Sequence, residues 1–373
     1  MEQCLTRKDA YWILNSIRSV GPITLNRLLE FANGDPVAAL EASRGELRSI
    51  KGITTKSVDS ILNWASEFDL EKEKRKTESL GAIFVSRECA RYPRLLKEIN
   101  DPPIGFYCLG DYEFKKPSVA IIGSRRTTLY GQGVAKEFGQ ELARRGYCVT
   151  SGMARGIDSL AHHGALNVEG GSTVAVLGCG ADIIYPPENI DLYRDIQRKG
   201  AVISEFPLGR KADRQTFPMR NRLVSGMSEA VIVVESDAKG GSLITAKFAA
   251  DQGRLVCAIP GRIDQRTSSG CNELIRDGAV LLTSVDDLLA ELEYEARAAE
   301  LPLEASAGVP IARPDLTEEE ASLAKCFEGG EALDVDRLCG LTGKSVGEVS
   351  SGVMMLELKG VLAKRLDGLY EAT

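Results

Sequence analysis

The sequence predicts an α/β protein built on a doubly wound, mostly parallel sheet with helices on both faces. Three observations carry this. Residues 119–282 alternate short apolar runs with amphipathic stretches of helical period. The apolar runs are too uniformly hydrophobic to turn one face to water, as strands buried on both sides must be. Most of them also run straight into glycine-rich turns that open a helix, the local signature of parallel strand–helix units.

At 373 residues the chain is long enough for two or three domains with real cores. No apolar run reaches the 18 or more residues of a membrane span, and Met-Glu-Gln-Cys followed by mixed charge does not read as a secretion signal, so a cytoplasmic protein with no membrane contact is expected. Nine cysteines are scattered without C-x-x-C spacing and only His162 and His163 supply imidazole, which reads as reduced thiols, with no metal site and no cofactor. The formal charge of −7 argues against a uniformly basic coat but leaves room for a local patch. One such patch is the segment 205–227, where Arg210, Lys211, Arg214, Arg220 and Arg222 outnumber Glu205 and Asp213.

Taken in order, residues 1–76 read as all helical. Two related stretches, 17–29 and 47–58, each place a Gly-x-x-Thr core shortly after an apolar residue. That resembles a pair of helix-hairpin-helix units, whose glycine turns either offer amides to a DNA phosphate or serve packing alone. The mixed-charge run 71–76 is a solvated helix that marks a boundary. Prolines between Tyr92 and Pro103 predict a rigid extended connector into a strand at 105–109. The central region, 77–298, then gives strands near 118–123, 147–150, 173–178, 200–204, 230–235, 254–259 and 279–282. Helices are predicted near 131–145, 157–169, 190–199, 218–227, 242–252 and 284–297. Ala, Pro, Gly and Glu dominate residues 299–315, a linker composition. In the last domain, 316–373, a capping box at Thr317, helices at 335–341 and 346–358, and a hairpin turning at Asp367-Gly368 predict a winged-helix-like unit. Glu348 and Glu357 against Lys344 and Lys359 make its third helix a poor match for a DNA groove, which favours protein contact or packing.

The turns carry the chemistry. Gly123, Ser124, Arg125 and Arg126 follow a strand and precede a helix, but neither the G-x-G-x-x-G dinucleotide spacing nor the G-x-x-x-x-G-K-[ST] phosphate loop is present. A small anion nest flanked by two arginines is what remains. Ser151, Gly152, Met153, Ala154, Arg155 and Gly156 form a second nest. Asp158 behind it either accepts hydrogen bonds from the nest amides or acts as an acid, base or ribose contact. His162 and His163 lie one turn further on, in packing or in catalysis. Phe217, Arg220, Asn221 and Arg222 combine a ring, two guanidinium groups and an amide, although Phe217 reads equally as a core anchor. Gly240, Gly241 and Ser242 open another helix with Thr245 one turn in. Glu235 reads as a structural acceptor.

Together these residues resemble the DNA-processing protein A family (DprA, also called Smf). The matching motifs are Ile-Gly-Ser-Arg at 122–125, Ser-Gly-Met-Ala-Arg-Gly-Ile-Asp at 151–158, Ala-His at 161–162, Tyr-Pro-Pro-Glu-Asn at 185–189, Ser-Glu-Phe-Pro at 204–207, Phe-Pro-Met-Arg-Asn-Arg at 217–222, Gly-Ser-Leu-Ile-Thr-Ala at 241–246 and Pro-Gly at 260–261. The resemblance implies a helical SAM-like domain, an extended Rossmann-like domain and a winged-helix-like domain. It implies a non-enzymatic bacterial protein that binds and protects single-stranded DNA, dimerises through its Rossmann-like domain and helps load the recombinase RecA during natural transformation or recombination. It carries phosphate contacts onto Gly123, Ser124, Arg125 and residues 151–156, places Arg220, Asn221 and Arg222 along the strand, and makes Gly241, Ser242 and Thr245 supporting positions. Two departures stand out: Gly240 where the family often has serine, and Pro187 with Glu188 where many members carry a basic residue.

Two other classes remain. One is a nucleotide-processing hydrolase resembling the lysine-decarboxylase-like phosphoribohydrolases, with Glu235 or Asp158 as its acid, although the Pro-Gly-Gly-x-Gly-Thr those enzymes carry is only loosely echoed at 240–242. The other is a transcription factor reading duplex DNA through its last domain, which the acidic residues of 346–359 disfavour.

Overall fold

The computed structural model describes residues 5–300, 316–327, 332–365 and 368–372. They form two compact units, Met1–Glu295 and Ala296–Thr373.

Seven helices begin the first unit: α1 (Arg7–Ser16), α2 (Pro22–Phe31), α3 (Pro36–Glu41), α4 (Arg44–Ser49), α5 (Thr55–Leu62), α6 (Trp64–Glu67) and α7 (Leu70–Ser79). Their starts are coded locally. Thr6 with Asp9 and Ser43 with Glu46 close reciprocal capping boxes, and proline stands in the first turn of α2 and α3. These helices share a core with the sheet. Trp12 stacks on Phe84 at 4.8 Å and donates through Nε1 to the Tyr107 hydroxyl at 2.9 Å, which in turn donates to Glu73 at 2.8 Å.

The sheet has nine strands: β1 (Ala82–Ser86), β2 (Gly105–Leu109), β3 (Ser118–Ile122), β4 (Cys148–Ser151), β5 (Ser172–Val176), β6 (Ala201–Ser204), β7 (Ala230–Val233), β8 (Leu255–Ala258) and β9 (Val280–Leu281), in spatial order β1-β2-β6-β5-β4-β3-β7-β8-β9. Pairings from β6 through β9 are parallel, while β1 with β2 and β2 with β6 are antiparallel. From β3 the chain winds outward through β4, β5 and β6, then returns to the other side of β3 as β7. That reversal puts a topological switch point at the carboxyl ends of β3 and β7, where open α/β sheets leave a crevice. Helices α9 (Leu129–Arg144), α10 (Ile157–Leu166) and α15 (Val285–Glu300) and helices α12 (Thr216–Gly226), α13 (Gly241–Asp251) and α14 (Ser269–Arg276) pack against two separate apolar clusters built on the strands. Helix α11 (Ile190–Lys199) follows a short 3-10 turn.

Three elements depart from the sequence expectation. Strand β1 is unforeseen and extends the sheet by an antiparallel edge. The connector 92–103 is not extended throughout, because Pro93 caps a short helix, α8 (Arg94–Glu98), where the missing proline N–H costs nothing. Helix α14 is not among the predicted helices.

The second unit holds α16 (Glu318–Ala324), α17 (Val335–Thr342) and α18 (Val346–Leu358), with β10 (Leu362–Lys364) antiparallel to β11 (Tyr370–Ala372) around its own apolar core. The predicted linker lies largely, and Asp367 of the predicted hairpin turn wholly, outside the described residues.

Candidate nucleic-acid interface

A cavity of about 750 Å³ occupies the switch point. Most of its lining comes from four segments: the turns after β3 and β4, α12 and the start of α13.

The first follows β3. Gly123 must lack a side chain, since a Cβ would stand 2.7 Å from Ile157 Cγ1 and 2.9 Å from the Glu235 carbonyl. The Ser124 amide donates to that same carbonyl at 2.7 Å, and the Ser124 hydroxyl bridges to the backbone of Arg126. Arg125 reaches over the cavity with its guanidinium 5.1 Å from the centroid of Phe217, a cation–π contact. Arg126 is exposed and outside the lining.

The second turn, 151–156, is already filled. Oδ2 of Asp158 accepts the amides of Gly152 at 3.2 Å and Ala154 at 3.4 Å, so the nest read as a phosphate site holds the protein's own carboxylate. Burial pushes the Asp158 carboxyl up and the nearby Arg220 pulls it down. Met153 is buried at φ 54° and Ser151 Oγ donates to the Ile121 carbonyl, so neither side chain faces a ligand. Gly156 has φ 80° and a Cβ there would lie 2.3 Å from the Ser124 carbonyl. Arg155 points outward and pairs with Glu188, Nη2 to Oε2 at 3.0 Å. Gly152 and Ala154 line the cavity; Ser151, Met153, Arg155 and Gly156 do not.

On α12 neighbouring arginines part company, because successive helical residues point about 100° apart. Arg220 is buried in the cavity wall, donating from Nη1 to the Val176 carbonyl at 2.8 Å, while its Nε has no partner among the described residues. Asn221 lines the cavity beside it. Arg222, expected along a bound strand, lies outside the lining. It is buried in a bidentate pair with Glu205 at 2.5 and 2.6 Å and a further pair with Asp101 at 3.3 Å. Phe217 lines the cavity, engaged by Arg125 and by Tyr185, whose ring centroid is 5.5 Å away.

The fourth wall is the start of α13. Its N-cap is Gly240, which supplies no side-chain acceptor; the Leu243 amide turns back to the Gly240 carbonyl at 3.1 Å, and Gly241, Ser242 and buried Thr245 line the cavity at this positive helix end. The Ser242 hydroxyl donates to Ser236 Oγ at 2.8 Å.

Three cations absent from the expected set complete the lining: Arg214, Lys239 and Arg266. Arg214 belongs to the basic segment 205–227, and Lys239 directly precedes Gly240-Gly241, so the sequence displays both as charge but not as geometry. Arg125, Arg214, Arg220, Lys239 and Arg266 thus face Asp158 and Asp237, an excess of positive charge within a chain of net charge −7.

The carboxylates that a hydrolase would use are committed elsewhere. Glu235 is buried and accepts the amide of Thr128 at 3.0 Å together with its hydroxyl, fixing the cap of α9. His162 is buried with Nδ1 2.6 Å from Thr173 Oγ1, and burial holds its imidazole down to about 3.

The chain is 33% identical over 401 residues to Protein Smf of Synechocystis, covering 98% of each, and 37% identical over 310 residues to Protein Smf of Escherichia coli, covering 83% of this chain and 79% of that one. The X-ray structure of DNA processing protein A from Streptococcus pneumoniae superimposes with a TM-score of 0.68 at 33% identity, covering 78% of this chain and 99% of that one. A Helicobacter pylori DNA processing protein A structure, described for its single-stranded DNA binding mode, gives a TM-score of 0.52 at 30% identity, covering 57% of this chain and 96% of that one. The profile of DNA recombination-mediator protein A matches residues 83–293, and with relatives of this identity along its length the chain belongs to that family, DprA/Smf.

Proposed function

We propose that this protein binds single-stranded DNA without sequence preference and acts as a non-catalytic recombination mediator that protects incoming strands and helps load RecA in the cytoplasm. The observation that carries this reading is the cavity at the β3–β7 switch point, where five cations and the N-terminus of α13 converge with two carboxylates against them among the described residues. A row of backbone phosphates is the ligand such a site fits. The Gly123 turn, Arg125, Arg220, Asn221 and the α13 start are its phosphate-facing parts, joined by Arg214 and Lys239. A hydrolase would need Glu235 or Asp158 free, and both are bound within the fold.

The same reading assigns residues 1–76 to a SAM-like module, 77–298 to the Rossmann-like DNA-binding domain, 299–315 to a linker and 316–373 to a winged-helix-like module, in a homodimer. Three helices followed by an antiparallel hairpin support the last assignment.

Fluorescence anisotropy of labelled oligo-dT at two salt concentrations tests the core of it. Removing a side chain that neutralises one phosphate lowers the slope of log affinity against log salt by about 0.7 for a single strand. Arg125→Ala should therefore weaken binding and flatten that slope, and unchanged binding at both salts would remove Arg125 from the site.

A further inference from the structure

The cationic cavity grips a backbone, but the ring in its lining is already engaged, since Phe217 is taken up by Arg125 and Tyr185. A different aromatic stands open nearby. Tyr130, in the first turn of α9, is 54% exposed and is pinned by its hydroxyl donating to the Pro260 carbonyl at 3.2 Å. It lines a second cavity, of about 540 Å³, together with Pro260, Gly261, Arg262, Gln265 and Ser268. Its sequence neighbour Leu129 is 85% exposed, and Ile263, in the loop that forms the opposite wall, is 99% exposed. Leu129 and Ile263 lie outside the lining itself, and with Tyr130 they add exposed apolar surface to the segments that build it, the kind of surface that marks a binding site where it is contiguous.

The two cavities share a wall, the turn Arg266–Ser268. Arg266 and Ser269 face the cationic cavity, whereas Gln265 and Ser268 face the apolar one. The turn is anchored, because the Ser236 amide donates to the Thr267 carbonyl at 2.7 Å, which fixes the step between the cavities. A ligand crossing it meets the cationic cavity and then a ring in a recess whose lining is Tyr130, Pro260 and Gly261 with Arg262, Gln265 and Ser268 at its polar side. A polyanion carrying unpaired bases fits that order.

We infer that the recess at Tyr130 is a base-stacking subsite for a nucleotide adjacent to those held in the cationic cavity, and that it selects single strands over duplex. Phosphates are common to both forms, whereas a base can lie flat on Tyr130 only when it has left its partner. The inference rests on the single-strand reading of the cationic cavity.

The test compares the full chain with its Tyr130→Ala and Tyr130→Phe variants on oligo-dT and on an abasic oligonucleotide of equal length, at two salt concentrations. Tyr130→Ala should bind oligo-dT about ten-fold more weakly, bind the abasic strand as wild type does, and keep the wild-type salt slope. Tyr130→Phe keeps the ring and should bind as wild type. If Tyr130→Ala binds oligo-dT normally while Lys239→Ala binds it more weakly, the subsite is wrong and the cationic site stands. If Lys239→Ala and Arg125→Ala also bind normally, the reading of the cationic cavity itself has failed. Equal weakening on both ligands together with a lower sedimentation mass would give this face to a second copy of the chain and overturn the subsite.

Discussion

A β-carbon on Gly152 would stand 1.5 Å from Nη1 of Arg220, so the glycine is the space into which that guanidinium folds. Gly152→Ala should expel Arg220 from the cavity wall. An unfolding titration should show destabilisation by about 1–3 kcal/mol, with weakened oligo-dT binding; a variant as stable as wild type that binds normally would show that Arg220 does not depend on this space. The identity of these residues is readable in the sequence, but their direction is not. Arg220 and Arg222 carry the same chemistry two positions apart, and only the helix phase and the buried Glu205 decide that one faces the cavity and the other the interior. His162 offers a second test at this scale. Its folded pKa of about 3 lies below the usual 6.5, so the native state takes up fewer protons than the unfolded chain between those values. Stability should hold above pH 6.5 and fall as pH drops toward 3, by at most about 1.4 kcal/mol per pH unit from this group. His162→Gln should remove that component of the slope in denaturant unfolding followed across pH.

At the scale of elements, the strands announce themselves because burial on both faces demands uninterrupted apolar runs, and β2 through β9 fall where those runs fall. Helix α14 is obscured for a physical reason. Gly270 in its first turn reads as a turn residue, yet its Cβ would sit 2.6 Å from the Asp237 carbonyl, so the glycine serves close approach of helix to loop. Strand β1 carries an apolar run of its own, Ile83-Phe84-Val85, but the run is short and follows a charged helix, and its place at the sheet edge is set by antiparallel pairing with β2. The start of α9 makes a prediction of its own. Its cap is a relay in which the Gly131 amide donates to Thr128 Oγ1 and the Thr128 hydroxyl and amide donate to Glu235. Glu235→Gln removes the charge from that acceptor and should lower stability by about 1.5–3 kcal/mol in thermal or denaturant unfolding. Unchanged stability would show that the cap of α9 does not depend on this carboxylate.

For the whole molecule, the opposition between a net charge of −7 and a cationic crevice makes binding local rather than diffuse. The outer surface repels a polyanion while the switch point attracts it, so long-range attraction is small and affinity depends on phosphates seated in the cavity. The residues that line that cavity all belong to the first unit, and the second has its own apolar core around Leu338, Val349 and Leu356. Helix α18 there exposes Met354 and Leu358 beside Glu357, a surface without the charge that DNA requires. Ending the chain within residues 301–315 should therefore leave oligo-dT affinity and its salt slope within about two-fold of wild type, a change worth only about 0.4 kcal/mol. Anisotropy titrations of the truncated and full chains at matched salt decide it. A ten-fold weakening with a shallower slope would place phosphate contacts on residues 316–373.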